Sequence, residues 1–495
     1  MPAKFTGRKS SVVGADHTVK KPMRTINHEE STRAYVEDYE CLIEGVEYFL
    51  QLEQQITKDH NIDAIRRHYA LHPEDGLCHI YRPGSRDIVR CRRSGIDTIH
   101  RIARRLVSEA TNSHDLSSKR ISEIISERIL QIAFDGVTDD EEFVKILKSY
   151  VALSEAQHVK ASYHFPCVLL HLGPNVPNFE PPPPDEIVLG PVKFRRFPVF
   201  LNGINREVEL GEKHLDDNAL KLFVERGERR GWVASVQIPS CAPDVSRQRA
   251  EEIVETAINL LKLFIGLRHG KSMRLPHIAP SRDRETCVLS DVDSNIKWTW
   301  QGRRLEGALV AGDPMAGVPE ALRKFAAHLL TKSLSGDRSE TTNRLLDALR
   351  WFGDASFEES GGVQIVKWIA ALERLTTTER RRNDITHNFC KRVALLASSL
   401  GTGDVERAYK DARVAYQLRS DVMHGSRSQN DEHLMVNAGF VHDLTRAAIL
   451  GSLAVHDLLD ARIGDARLAS IARFYDETAL RFEPLFKRLQ GESKK

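Results

Sequence analysis

Apolar residues recur three or four positions apart through SEIISERILQIAFDGV (122–137) and EEFVKILKSYVALSEA (141–156). That spacing places them on one face of a helix, and helical patterns of this kind dominate residues 31–160. The period changes near residue 161. SYHFPCVLLHLG reads as a strand. Beyond the four prolines Pro181–Pro184, so do IVLGPVKF, FPVFL, GWVASVQI and IKWTW, on their β-branched and aromatic content. One helix interrupts them: SRQRAEEIVETAINLLKLFIGL follows the capping residues Asp244 and Ser246 and carries acidic residues in its first turns. From residue 316 onward the strand signals stop. Helical segments then follow one another across short breaks such as FGDASFEESGG, SSLGTGD and GSRSQND, the pattern of an all-α bundle.

These patterns predict a multidomain α+β protein. A polar tail at 1–30 has no periodicity and reads as disordered; a mainly helical region spans 31–160; an α+β domain, assigned a sensing role, spans 161–315; an all-α bundle spans 316–490. The length of 495 residues agrees, being that of about two to four domains. No repeat of fixed period is present.

Composition narrows the classes. The net charge of +2 gives no global field for nucleic acid or an anionic membrane, so any such binding must come from local patches. Seven cysteines are scattered singly, without C-x-x-C or framework spacing. That argues against a zinc site or a disulfide scaffold and fits the reducing cytoplasm. His433 and His442 follow no metal-ligand spacing, and neither a metal nor another cofactor is expected. The basic start has no apolar core and so is not a secretory signal. The longest apolar run, INLLKLFIGL at 258–267, is short and carries Lys262, so no membrane partner is expected. H-E-x-x-H, the phosphate-binding P-loop and G-x-S-x-G are all absent.

Residues 416–425, YQLRSDVMHG, hold the candidate chemistry. A helix starting after the N-cap Asp404 has apolar positions at Val405, Ala408, Tyr409, Ala412, Ala415, Tyr416, Val422 and Met423. Arg419 falls in the middle of that stripe, where a guanidinium is costly without a partner, so either the helix is shallow here or Arg419 faces a polar pocket or an interface. Gly425 reads as the glycine that ends the helix, with His424 in its exposed last turn. Five helical steps set Arg419 and His424 about 140° and roughly 7.5 Å apart, so both reach one phosphate only through arginine's length or distortion at the helix end. A pair at this spacing also arises by chance in a chain rich in both residues.

IVKWIAALERL (365–375), CKRVALL (390–396) and VAYQLRSDVMHGS (414–426), in that order and spacing, resemble the HEPN superfamily, and specifically its Apea-like domains. The resemblance covers residues 338–465, about a quarter of the chain. It implies a helical bundle and, by analogy with many HEPN domains, a metal-independent endoribonuclease with Arg419 and His424 as the catalytic pair. Tyr416, Ser420 and Asp421 of the motif and Glu373 of the preceding helix are implied as supporting residues. Histidine is the natural group to move protons near neutral pH, and arginine's fork stabilises charge building on a phosphate. The 2′-hydroxyl of RNA supplies the nucleophile. Two copies of such a motif typically face each other in a dimer, so the implied partners are RNA and a second copy bound through the C-terminal bundle. Proteins of this kind serve toxin or antiphage defence roles. Ser420 stands where active members often carry Asn, Asp or His, which puts the catalytic rate in question. A non-catalytic module that binds RNA, a nucleotide or a protein, and a purely structural bundle with Glu373–Arg419 as an ion pair, are the competing readings.

RNDITH at 382–387 repeats the pattern, with Arg382, Asn383 and His387 as an alternative pair. Its arginine ends a basic run at a helix start, where charge is usually solvated, and on an ideal helix His387 lies nearly opposite the stripe of Ile385, Phe389, Val393 and Leu396. Residues 82–105 hold an arginine cluster that includes Arg90, Arg92, Arg93, Arg101, Arg104 and Arg105. Such a cluster can track a phosphate backbone, or be a solvated face paired to acidic residues at 122–145. Trp298 and Trp300 can stack bases, although strand tryptophans more often pack a core.

Overall fold

The computed structural model describes residues 33–38, 40–41, 78–81, 88–91, 93–134, 140–169, 184–209, 231–270, 273–275, 284–289, 296–301, 313, 315–335, 338–378, 384–400, 404–463 and 467–492. The expected tail at 1–30, Pro181–Pro183, Arg92, Arg382 and Asn383 lie outside them. The chain divides into two compact units, residues 1–156 and 157–495.

In the first unit, a hairpin of β1 (Cys78–Tyr81) and β2 (Ile88–Cys91) precedes three helices, α1 (Arg93–Glu109), α2 (Ser118–Phe134) and α3 (Asp140–Glu155). The helical spacing read in 122–137 and 141–156 is used: Ile121, Ile124 and Ile125 of α2 meet Val144, Leu147 and Tyr150 of α3 and Ile99, Ile102 and Leu106 of α1 in one core.

In the second unit, a four-stranded antiparallel sheet has the order β3-β6-β5-β4, formed by β3 (Val159–Cys167), β4 (Glu186–Leu189), β5 (Val192–Arg196) and β6 (Trp232–Cys241). A two-residue turn, Gly190-Pro191, joins β4 to β5, with Gly190 at φ +56° as such a turn requires. FPVFL differs from its strand reading. It opens the helix α4 (Phe197–Glu209), because Pro198 sits in the first turn, where no backbone donor is needed. Phe197 and Phe200, three apart, then pack on Val233 of β6. The long helix α5 (Pro243–Ile265) lies against the sheet. It starts earlier than expected: Ala242 is the N-cap and Pro243 the first helical residue, so Asp244 and Ser246 lie inside the helix. A separate hairpin pairs β7 (Arg284–Leu289) with β8 (Ile296–Gln301) and contains Trp298 and Trp300, whose side chains lie outside the described residues.

Eight helices follow among the described residues: α6 (Glu320–Leu334), α7 (Glu340–Ala355), α8 (Gly361–Thr376), α9 (Ile385–Ser398), α10 (Val405–Met423), α11 (Glu432–Asp457), α12 (Leu468–Leu480) and α13 (Glu483–Glu492). A π-helical turn, Leu458–Ile463, extends α11. The 26-residue α11 is the central element and packs on every helix from α6 to α10. Across residue 315 the core does not break. One apolar cluster runs from Cys167 and Phe194 of the sheet through Ile253 and Leu261 of α5 to Trp368, Val393 and Ile449 of the bundle. The molecule is thus an α+β protein in which α5 carries the sheet's core into the helices. No described helix is long and apolar enough to cross a membrane.

Candidate functional site

The motif helix α10 is fixed at both ends. Asp404 caps its start by accepting from the Glu406 N–H at 2.9 Å. At its end His424 is the C-cap residue and donates its backbone N–H to the Ser420 carbonyl at 2.9 Å. Gly425 follows at φ +73°, a conformation that side-chain-bearing residues rarely adopt, and turns the chain away.

The buried face of α10 is Ala408, Tyr409, Ala412, Ala415 and Leu418. Leu418 was missing from the stripe read in the sequence, and it supplies the apolar core residue whose place in that stripe Arg419 interrupted. Arg419 lies one step round, at the margin of that face, with its side chain 27% exposed. There its Nη2 stands 3.7 Å from Oε2 of Glu373, on α8. That is an ion pair too long for a good hydrogen bond. The guanidinium also lies 5.8 Å from the centre of the Tyr416 ring, which in turn packs on Phe389 of α9. Burial pushes the Glu373 carboxyl above its ordinary range, and the Arg419 charge only partly offsets this. Burial likewise raises the Tyr416 phenol, reinforced by Glu373 and opposed by Arg419. The three side chains therefore form one electrostatic unit whose carboxylate is under-compensated.

His424 is exposed, and among the described residues its imidazole makes no hydrogen bond or ion pair. Ser420 is half-buried beside Arg419. Asp421 is engaged elsewhere: it accepts from Gln417 Nε2 at 2.7 Å and pairs with Arg427 Nε at 3.4 Å, which folds the loop after the motif back on the helix end.

One part of the site was missed in the sequence. The loop after the motif is clamped to the start of α8. The Gln429 carbonyl accepts from the Gly362 N–H at 2.9 Å and from the Ser360 hydroxyl. A Cβ at Gly362 would stand 2.7 Å from Gln429 Cα and at Gly361 2.8 Å from Met435 Cα, so both glycines are there for close approach. The Ser-Gly-Gly run at 360–362 was the available signal.

The alternative motif differs. His387 Nδ1 is 2.8 Å from the Tyr409 hydroxyl, with the rings edge to face at 5.7 Å. Burial, with Lys391 adding to it, lowers its pKa. Ile385, expected on the buried stripe, is half exposed, while His387 faces α10. His387 lies opposite that stripe and is still engaged because α9 is packed on that side too, with Cys390 and Ala394 buried there.

In the first unit, Arg101 and Arg105 both pair with the buried Asp38, at 2.9 and 3.0 Å, and Arg105 lies over the Tyr35 ring. Among the described residues their ionic partner is Asp38. Arg93 and Arg104 are exposed, Arg104 donating from Nε to the His100 carbonyl at 3.1 Å. Arg90 lies on β2, and its side chain is outside the described residues. His442 is enclosed in the core between Phe352 and Trp368.

What the motif region can do chemically follows from these contacts. It presents a fixed cation whose counter-ion is loosely held, and an accessible group able to carry a proton, at the end of a rigid helix. Compared with protein-family models, with curated proteins and with solved structures, the chain matches none.

Proposed function

We propose that residues 316–490 are a HEPN-type bundle and that the protein is a metal-independent endoribonuclease acting through Arg419 and His424. The observation that carries this reading is a semi-exposed Arg419, held only at 3.7 Å by Glu373, together with an exposed His424 five residues on that is unengaged among the described residues. An RNA phosphate gives Arg419 a better partner than Glu373 does. His424 then moves protons as the 2′-oxygen attacks phosphorus and the bond to the 5′-oxygen breaks. The 2′-hydroxyl proton leaves to a base and a proton reaches the departing oxygen. The products are a 2′,3′-cyclic phosphate and a 5′-hydroxyl.

A homodimer completes the proposal. Val414 and Met423 of α10 and Met435 and Val436 of α11 are exposed apolar residues in the segments that carry and follow the motif, Val436 at 76%, and a second copy would cover some of them. Cytoplasmic location in a bacterium and a toxin or antiphage role belong to the same proposal, with the region before the bundle sensing the trigger. The second reading, a binding module without cleavage, is favoured by Ser420, whose hydroxyl is a poor proton carrier near neutral pH.

The test is RNA cleavage by the purified full chain in excess chelator, wild type beside His424→Ala, with product ends identified. Cyclic-phosphate ends that vanish in the variant support the enzyme. RNA binding that depends on Arg419, with no cleavage in either protein, supports the binding module.

A further inference from the structure

Lys262 lies near the end of α5 and is 2% exposed, and lysines are almost never fully buried unless paired. Its Nζ donates to the Ser356 hydroxyl at 3.1 Å and to the Gly353 carbonyl at 3.4 Å, and it lies 3.8 Å from the centre of the Phe357 ring. All three contacts come from the last turn of α7 and the two residues after it. Asp354 of α7 and Glu255 of α5 favour its charge, Arg274 opposes it, and among the described residues none of them forms an ion pair with it. Asp354 also feels Lys367 and Arg350, Lys367 pairs with Glu358 at 2.6 Å, and Arg446 of α11 is engaged by the Leu263 and Phe264 carbonyls. An ammonium buried in this way is costly, so the pocket favours the neutral amine, which can keep both hydrogen bonds.

The backbone around Lys262 has no room to shift. A Cβ at Gly270 would stand 2.9 Å from Lys262 Cα, and one at Gly353 2.0 Å from Asn259 Oδ1. The part able to yield is the turn 356–358, closed by two longer bonds, Phe357 N–H to the Asp354 carbonyl and Glu358 N–H to the Ala355 carbonyl, both at 3.2 Å. Two residues on, the chain enters the clamp in which Ser360 and Gly362 hold the Gln429 carbonyl.

We propose that Lys262 makes this joint a pH-sensitive latch: the neutral amine holds the turn after α7 shut, and an ammonium escaping to water opens it and slackens the clamp on the loop that follows His424. A lysine in water keeps its proton up to about pH 10.5, whereas burial lowers Lys262 to about 7. Between those values the open form holds a proton that the closed form lacks. Each unit of rising pH therefore favours the closed form by up to about tenfold, and below about pH 7 the ratio stops changing. The latch acts whether or not the motif cleaves RNA.

The experiment is hydrogen exchange of the full chain, followed by mass spectrometry from about pH 6 to 10, with each rate corrected for the intrinsic exchange at that pH. Protection across 355–362 and 426–431 is expected to be flat below about pH 7 and to rise severalfold per unit above it. Lys262→Met, of similar length and uncharged, is expected to abolish the rise in both segments. Asp354→Asn, at a half-buried position, removes a charge that favours the ammonium and is expected to start the rise at lower pH; it decides the matter where circular dichroism shows that Lys262→Met does not fold. Flat protection in wild type, a rise of equal size in Lys262→Met, or an onset unmoved by Asp354→Asn would overturn the latch. A rise at 355–362 with none at 426–431 would overturn its reach to the motif loop.

Discussion

Within one helical bundle, arginines are used in two ways. Arg344 and Arg392 are almost fully buried, and their guanidiniums close the end of α8. Arg344 Nη1 donates to the carbonyls of Arg374 and Thr377 at 2.8 and 2.6 Å, and Arg392 Nη1 to that of Thr376 at 2.7 Å. These carbonyls are the ones a helix leaves without partners at its C-terminus, where positive charge is also favoured. Arg419 has no such task. Among the described residues its ionic contact is one loose carboxylate. The histidines divide the same way: His387 is tied to Tyr409, and His424 to nothing described. A residue that holds the fold together shows short bonds to backbone. A residue available for a ligand shows long contacts and open surface.

The largest effect expected from this contrast is on cleavage. His424→Ala should lower the rate by on the order of 10²–10⁴, the usual weight of a positioned proton-transfer group. His387→Ala should leave the rate within a few-fold and cost about 1 kcal/mol of stability through the lost Tyr409 bond. Equal losses of activity in both variants would erase the distinction between the two motifs.

Stability sharpens the same contrast in reverse. Arg392→Met leaves the Thr376 carbonyl without its donor and removes a guanidinium 5.3 Å from the Tyr475 ring. Denaturant unfolding should show a loss of about 2–4 kcal/mol. Arg419→Met should cost less than about 1 kcal/mol, as semi-exposed ion pairs do.

A buried histidine extends the comparison to pH. His456 is fully enclosed, with Nε2 at 2.9 Å from the Thr342 hydroxyl, and burial lowers its pKa to about 4 against the opposing charges of Asp460 and Asp457. His328 and Lys332, both within reach of Asp460, are the other titratable side chains facing this pocket. The unfolded chain takes up a proton near pH 6.5, and the folded one only near 4. His456 therefore stabilises fully above pH 6.5, and its contribution falls as pH drops to about 4, by on the order of 3 kcal/mol. His456→Gln should flatten that part of the stability profile, whereas His424→Ala should leave it unchanged.

Much of this was legible in the sequence, for identifiable reasons. Helical spacing located α2, α3 and the bundle because each has one apolar face. Asp404 and Gly425 fixed both ends of α10 because cap and stop chemistry are local. FPVFL misled because a short apolar run fits strand and helix alike, and its proline was tolerable in a first turn. Arg419 was misplaced by one position because Leu418 and Arg419 are 100° apart, and only tertiary packing decides which of them faces the core. The clamp from Gln429 to Gly362 and the Asp38 pairs were illegible, since they join residues far apart in the chain.

The smallest effect tests the comparison most directly. Glu373→Gln keeps the shape of the Arg419 partner and removes its charge. Because burial raises the Glu373 pKa, its charged form is disfavoured in the fold: its contribution is present at low pH and is lost as pH rises through that raised value. The Gln variant should therefore unfold within about 0.5 kcal/mol of wild type at neutral pH, with the same oligomeric state. Its affinity for a phosphate-bearing RNA should rise a few-fold, because Arg419 no longer has to leave a carboxylate. A loss of several kcal/mol, or a change of assembly with RNA affinity unmoved, would place Arg419 with Arg344 and Arg392 as a structural arginine, and His424 would stand alone.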